Sequence, residues 1–321
     1  MPLNLRLNDD RQGLLGMISA GRKVVIMQWV CVAGFLALAA MQTAQAIDLQ
    51  PGEIAVPPPG MNIIQLNFVH SERGDLYAAN QKVSNATKLA NRQFQVRYIH
   101  TFNTGDVPSV VYVQTPLGQV EPQKALRSFF TTESGVGDTT LVYAIWPYAD
   151  REEKKYWAVG TYLTLPTGHY DAGNGLINLG GNRYSVALQT AYQRPISQSV
   201  SWMAAVDAVW FGKNDNYFDH QLATQQKTLK QEALYTAQTG LAYDLSKRFS
   251  LAAAYFYTEG GQRILDNVAV ANSTSQMQRY QLSATARFSF ATMMLQYGDD
   301  ITTKNGYIED SRVIFRVIKP F

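Results

Sequence analysis

Residues 93–102 read QFQVRYIHTF, a stretch in which rings and aliphatic side chains alternate with polar ones. A period of two places successive side chains on opposite faces of a β-strand. The same alternation recurs from residue 61 onward and predicts twelve strands, near 61–69, 92–103, 108–115, 139–148, 155–165, 183–193, 200–211, 231–243, 249–258, 277–288, 290–297 and 311–321. The sequence therefore predicts an all-β protein with an even number of antiparallel strands.

Large rings occupy both ends of the apolar face in six of these strands, always eight residues apart. The pairs are Phe94 with Phe102, Tyr184 with Tyr192, Trp202 with Trp210, Tyr235 with Tyr243, Phe249 with Tyr257 and Tyr280 with Phe288. At ~3.3 Å per residue this spacing covers about 26 Å of strand. A tilt of ~40° reduces it to roughly 20 Å of height, close to the ~25 Å apolar band of an outer-membrane barrel. A soluble core would place its rings in the middle, so the apolar face is predicted to contact lipid.

The lengths of the predicted connections also alternate. Long ones follow the odd-numbered strands, and short ones such as 149–154, 194–199 and 244–248 follow even-numbered strands. Outer-membrane barrels show this asymmetry, with long extracellular loops and short periplasmic turns. Because every backbone amide in hydrocarbon needs an internal partner, residues 61–321 are predicted to form a closed antiparallel transmembrane β-barrel.

The two ends of the chain carry targeting signals. Residues 24–41 form the only long apolar run, which ends before the small-x-small triplet at Ala46. This pattern predicts a signal peptide over residues 1–46, over-extended at its start, with cleavage after Ala46 and export to the bacterial outer membrane; an uncleaved anchor helix is the alternative. Cleavage would remove Cys31, the one cysteine. The alternating terminal strand ends at Phe321 and resembles the signal read by the barrel assembly machinery, which is therefore predicted as a partner besides outer-membrane lipid.

The polar face of the strands is predicted to line the lumen. Its charged members are Arg97, Arg183, Asp207, Glu232, Arg279, Arg287, Arg312 and Arg316. Two interpretations stay open: a basic constriction that selects anionic or polar solutes, or a network that only fills the interior. Residues 47–60, with three prolines in a row, are predicted to be a periplasmic lead-in to the first strand; a plug inside the barrel is the alternative.

The residues give little support to catalysis or cofactors. None of the four histidines, at 70, 100, 169 and 220, forms the His-x-Ser pair expected of an outer-membrane phospholipase. Asp219 and His220 lack the second carboxylate pair of an outer-membrane protease, and metal-ligand spacing is absent. No catalytic residue, metal or cofactor is predicted. The 28 basic and 25 acidic residues give a net charge of +3, too little to favour nucleic acid as a partner.

Three glycine-rich motifs occur in the middle of the chain. They read GVGDT at 135–139, PTGHYD at 166–171 and NLGGNR at 178–183. Together they resemble an outer-membrane transporter family named for the meta-pathway of phenol degradation, over roughly residues 55–321. The resemblance implies a barrel often encoded beside genes that catabolise aromatic or hydrophobic compounds.

The second and third motifs also predict a loop that constricts the lumen. Pro166 and Gly168 give a strong turn signal, and Asp171 and Asn182 carry side chains able to bind backbone amides. A self-packed surface loop is the alternative. We expect a channel for the uptake of small organic solutes, aromatic or hydrophobic on the basis of the resemblance. A non-conducting structural or adhesive barrel is the first alternative and an outer-membrane hydrolase a weaker one.

Overall fold

The computed structural model describes residues 47, 48, 50, 52–128, 130–174, 177–217 and 226–321. The predicted signal peptide lies outside the described residues. The described ranges contain two short 3₁₀ helices, at Ala125–Ser128 and Ala172–Asn174. Within them, no helix has the length and apolar character needed to cross a membrane.

The strands are, in chain order, β1 (Asn62–Ala78), β2 (Gln81–Ser84), β3 (Thr87–Thr104), β4 (Val107–Lys124), β5 (Glu133–Val136), β6 (Thr139–Asp150), β7 (Lys155–Leu165), β8 (Ser185–Pro195), β9 (Val200–Phe211), β10 (Asn214–Tyr217), β11 (Lys227–Gln231), β12 (Leu234–Asp244), β13 (Phe249–Gly260), β14 (Arg263–Leu265), β15 (Val268–Ala269), β16 (Ser275–Arg287), β17 (Thr292–Thr303) and β18 (Gly306–Pro320).

Twelve of these strands close into an antiparallel barrel. Their order is β1-β3-β4-β6-β7-β8-β9-β12-β13-β16-β17-β18, and β18 pairs with β1 to complete the ring. At this seam Asn67 lies opposite Arg316 and Phe68 opposite Phe315. Closure removes both sheet edges, so the strands satisfy one another's amides. The predicted closed barrel of twelve strands is confirmed.

The barrel is polar inside and apolar outside. Gln65, Asn67 and Gln296 on its inner face are at most 2% exposed. On its outer face Leu188 is 48% exposed and Trp210 also 48%. A soluble barrel has apolar side chains inside and polar ones outside. Apolar side chains on the outer face are typical of strands surrounded by lipid acyl chains. The orientation predicted from the spaced rings is therefore the observed one.

The connections differ between the two ends of the barrel, but less regularly than predicted. One end has the turns 105–106, 151–154, 196–199, 245–248 and 288–291. At the other end the connections 125–138, 166–184, 212–233 and 261–274 are long, whereas 79–86 and 304–305 are short. The long connections predicted after the first and eleventh strands are thus not observed.

The connection after the first strand is short because β1 and β3 continue past the apolar band as a hairpin. In this extension Lys88 Nζ lies 2.8 Å from Glu72 Oε2, and Lys82 Nζ lies 2.6 Å from Asp75 Oδ2. Strand segments outside hydrocarbon need no apolar face, so the alternating signal ends before the strand does.

The four long connections pack into a structure that we call the loop cap, defined as the described residues of 125–138, 166–184, 212–233 and 261–274. Its small sheet has the order β10-β11-β14-β15. Beneath it lies an apolar cluster that includes Leu126, Phe130, Ile177, Leu229 and Leu265, all buried. Leu76, Leu89 and Tyr307 of the barrel strands belong to the same cluster, so the loop cap and the end of the barrel share one apolar core.

A charge placed on the outer face should reveal the surrounding hydrocarbon. Leu188→Arg, midway between Tyr184 and Tyr192, should lower the free energy of unfolding by about 2–4 kcal/mol, because arginine is costly at the bilayer midplane. Leu245→Arg is the matched control, since Leu245 is 55% exposed but lies in a turn. Denaturant unfolding in phospholipid vesicles measures both; equal costs would contradict a lipid-facing outer surface.

Candidate functional site: the barrel lumen

A cavity of about 350 Å³ lies inside the barrel. Barrel strands supply most of its wall, including Arg97, Gln189 and Phe211. The loop cap contributes residues 177–181, and the segment before β1 contributes Ile47, Asp48, Gln50 and Glu53. The cavity is thus bounded by three parts of the chain that are far apart in sequence.

The segment before β1 lies within the barrel, and we call its described residues between 47 and 60 the N-terminal plug. Ile54 and Val56 are 1% and 8% exposed and pack in a cluster with Trp146 and Tyr156. Trp146 Nε1 donates a hydrogen bond of 2.7 Å to the carbonyl oxygen of Ile54. The prediction of a periplasmic lead-in does not hold for these residues. The alternative, a plug, describes what the structure contains.

Asp48 holds one end of the plug to the barrel wall. Its carboxylate pairs with Arg279 of β16, and lies 3.3 Å from Arg312 of β18. Arg312 also contacts Glu309 at 2.8 Å, and Glu309 lies 3.3 Å from Arg73. These groups form a continuous network of alternating charge.

Glu53 makes a second ionic contact further along the plug. Its Oε1 lies 2.7 Å from Arg316 and 3.3 Å from Arg97. Arg97 is also fixed by a 2.8 Å hydrogen bond to Gln114 and by the ring of Tyr112, whose centroid is 4.4 Å away. Four of the arginines predicted to line the lumen therefore bind the plug, an arrangement that neither sequence interpretation included.

Arg183 borders the cavity, and Asp207 is buried on β9. Arg183 is 7% exposed; its guanidinium stacks 4.6 Å from the ring centroid of Phe211 and donates a 2.5 Å hydrogen bond to Gln231. Its Nη1 has no hydrogen-bond partner among the described residues. Asp207 is 5% exposed.

Glu232 and Arg287 do not belong to this site, which corrects the prediction. Glu232 is exposed and precedes β12, because that strand begins at Leu234 and not at the predicted residue 231. Arg287 is the last residue of β16, is exposed, and lies 3.9 Å from Asp244 at the end of β12. Both residues continue the alternation of polar side chains along their strands. They lie, however, beyond the part of the barrel that encloses the lumen.

The three glycine-rich motifs converge on the carboxylate of Asp138. Its Oδ1 accepts the N–H of Gly168 at 2.9 Å, and its Oδ2 accepts the N–H of Gly181 at 2.7 Å. A Cβ on Gly168 would lie 2.7 Å from the Cα of Gly180, so the two loop segments approach too closely for any side chain there. The motifs are distant in sequence but form one structural unit.

The loop between β7 and β8 folds over the lumen, although other residues than those predicted face the cavity. Asp171 binds within its own loop, accepting the N–H of Gly173 at 2.7 Å, and Asn182 donates to Asn214 at 2.8 Å. Pro166 follows the end of β7 directly. The cavity wall is formed by the neighbouring Ile177, Asn178 and Leu179. In the sequence, the aliphatic residues Ile177 and Leu179 within this glycine-rich loop were the signal that could have identified the cavity-facing positions.

His169 lies in the loop cap. The imidazole of His169 contacts Glu133, a buried carboxylate that also accepts a 3.3 Å hydrogen bond from Asn174. This contact ties β5 to the loop after β7. His220 lies outside the described residues.

The closed barrel with a polar lumen defines a transmembrane β-barrel of the outer-membrane type. The chain belongs to the family described as "Putative MetA-pathway of phenol degradation", whose model matches residues 73–317. The family expected from the three motifs is thereby confirmed.

Solved structures are similar to this chain to different degrees. An outer membrane channel from Pseudomonas putida F1, of the group COG4313, is 27% identical, with 85% of this chain and 100% of that chain covered and a TM-score of 0.80. The KdgM porin is 10% identical over 80% of this chain and 99% of its own, with a TM-score of 0.43. The β domain of the Bordetella autotransporter BrkA is 7% identical over 82% and 100%, with a TM-score of 0.49. No curated protein matches this sequence.

The role of Asp138 can be tested by Asp138→Asn. An amide keeps one acceptor oxygen but turns an NH₂ group toward the second N–H, which costs about 1–3 kcal/mol for an unsatisfied buried group. Hydrogen exchange at the amides of Gly168 and Gly181 should accelerate by roughly tenfold to a hundredfold, because these hydrogen bonds open locally. Asp106→Asn, in the exposed turn at the opposite end, should leave both rates unchanged; identical rates in the two variants would argue against the assignment.

Proposed function

We propose that the protein is an outer-membrane channel for the uptake of small organic solutes, with single-ring aromatic compounds as the preferred class. The observation that carries the proposal is the cavity of about 350 Å³ enclosed by a membrane-spanning barrel. The family description, which names phenol degradation, and the 27% identical channel both support it.

The size of the cavity fits solutes of one ring. Ligand pockets commonly measure about 300–1,000 Å³, and a cavity of about 150 Å³ is large enough to bind benzene. The wall combines Ile177, Leu179 and Phe211 with the polar Arg183 and Gln189. Apolar surface for a ring and a few fixed polar groups for its substituent occur together.

Arg183 is the proposed polar contact for the solute. Burial lowers the pKa of Arg183 to about 10, so its guanidinium stays protonated at neutral pH. Its free Nη1–H can donate to a carboxylate or a phenolic oxygen. The ring of Phe211 beneath the guanidinium adds a surface on which an aromatic solute can stack.

We also propose the route by which the chain reaches the membrane. Export depends on a signal peptide cleaved after Ala46, and barrel assembly depends on the terminal aromatic residue. Phe321 is 67% exposed, with its ring centroid 6.5 Å from that of Tyr98, and is therefore accessible at the barrel rim. The loop cap faces the cell exterior in this arrangement and the short turns face the periplasm.

Flux of benzoate into proteoliposomes tests the channel. Benzoate combines one ring with a charge, and because its ionised form crosses a lipid bilayer slowly, flux is compared with that into protein-free vesicles at a pH where little of the neutral acid is present. We expect flux with the wild-type protein and about tenfold less with Arg183→Gln, equivalent to the loss of ~1.4 kcal/mol from one charge-assisted contact. Arg287→Gln removes an arginine from the rim and should retain wild-type flux. Absence of both flux and single-channel conductance in the wild-type protein would favour the non-conducting barrel.

The plug should limit conductance through its ionic contacts. The double variant Asp48→Asn, Glu53→Gln leaves the arginines of the wall without their plug partners, and removing one partner of a buried ion pair costs about 3–5 kcal/mol. Single-channel recordings in planar bilayers should then show a several-fold larger conductance, because the plug dissociates from the wall of the lumen.

The control for the plug variant is Glu72→Gln. Glu72 pairs with Lys88 in the hairpin extension of β1 and β3, outside the lumen. Its conductance should match the wild-type value. Equal conductance in all three proteins would show that the plug does not narrow the path.

A further inference from the structure

Asp207 is an exception among the acidic groups of the lumen. Asp48, Glu53 and Glu309 each contact two arginines. Asp207 is only 5% exposed and takes part in no ion pair among the described residues; the groups beside its carboxylate, the Gln189 side chain and the backbone nitrogen of Ile47, carry no charge. A buried carboxylate without a charged partner is unfavourable, so a positive group at this position would stabilise it.

The first described residue of the plug lies beside this carboxylate. The backbone nitrogen of Ile47 faces Asp207. The carbonyl oxygen of Ile47 accepts hydrogen bonds of 2.7 Å from Gln189 and 2.8 Å from Gln238. Gln189 lies directly opposite Asp207 in the pairing of β8 with β9. Ile47 is therefore held by the strands on both sides of Asp207.

The side chain of Ile47 is also seated. It packs against a buried cluster of Ala187, Val209 and Leu234. With the carbonyl bound, the side chain packed and the nitrogen directed at the carboxylate, all the groups of this residue have defined positions. A site of this kind is built for one residue in one orientation.

We propose that cleavage between Ala46 and Ile47 creates the missing positive group: the new α-ammonium of Ile47 pairs with Asp207 and anchors the plug in the lumen. Hydrolysis breaks the C–N bond, and water supplies the hydroxyl of the Ala46 carboxyl group and a proton to the departing amine. Before cleavage the nitrogen of Ile47 is an amide with a single N–H and no charge. After cleavage it carries three N–H groups and, at neutral pH, a positive charge, since an α-amino group has a pKa of about 7.7–8.0.

This pairing also determines where processing must occur. Consecutive Cα atoms are about 3.8 Å apart, so cleavage one residue earlier or later would move the charge beyond ion-pair distance of Asp207. The small-x-small triplet that ends at Ala46 predicts the same bond from the sequence alone. A processing signal and a carboxylate without an ion-pair partner, far apart in the chain, thus point to one position.

The reactivity of the amine tests the proposal without any measurement of transport. Protein exported to the outer membrane and purified in detergent is treated near neutral pH with an acetylating reagent, and the N-terminal peptide is followed by mass spectrometry. We expect this peptide to begin at Ile47. Its amine should react about tenfold more slowly in the wild-type protein than in Asp207→Asn, the factor that corresponds to a rise of about one unit in its pKa.

Two comparisons make the result decisive. Asp106→Asn removes a carboxylate from the exposed turn and should react at the wild-type rate. If Asp207→Asn does not fold, the wild-type protein labelled folded and after unfolding provides the comparison, with the slow rate expected only in the folded state. A different N-terminal residue, or equal rates in wild-type and Asp207→Asn, or in folded and unfolded protein, would overturn the proposal.

Discussion

The structure depends on the hydrogen bonds between β1 and β18. A sheet in hydrocarbon with open edges would expose two rows of unpaired amides, and this pairing removes both. It extends along most of the two strands, and the N–H of Phe321 adds a further 2.9 Å bond to the carbonyl of Asn62. Once the ring is closed, its outer face must be apolar and its inner face has to accept the polar side chains of the alternating pattern.

The enclosed lumen creates a second problem, which the N-terminal plug solves. Arginines on the inner face are shielded from water, and a buried charge without a partner is costly. Asp48 and Glu53 supply negative charge from a segment that belongs to no strand. Since the wall holds basic residues and the plug acidic ones, the two fix each other's geometry. Buried ion pairs of this kind define a position more than they add stability.

The loop cap closes the barrel differently, with an apolar core and hydrogen bonds to one carboxylate. Asp138 joins three loop segments through the amides of Gly168 and Gly181. The cluster around Leu126 and Leu229 excludes water as a soluble core does. The cavity lies between the loop cap and the ionic contacts of the plug with the barrel wall. The loop cap contributes aliphatic groups to it, and the wall contributes charged groups. That mixture is the basis of the proposed preference for a solute with a ring and a polar substituent.

The alternation of side chains and the eight-residue spacing of rings were enough to predict twelve strands, their closure and the face that meets lipid. These properties repeat along the chain and need no knowledge of distant contacts. The position of the plug, the role of Asp138 and the pairing of Arg312 with Asp48 became known only from the tertiary structure. Each joins residues separated by dozens to hundreds of positions, and a polar residue in sequence does not show which partner folding will bring to it. Glu232 and Arg287 demonstrate the same limit, because they share the polar phase of their strands but lie beyond the enclosed lumen.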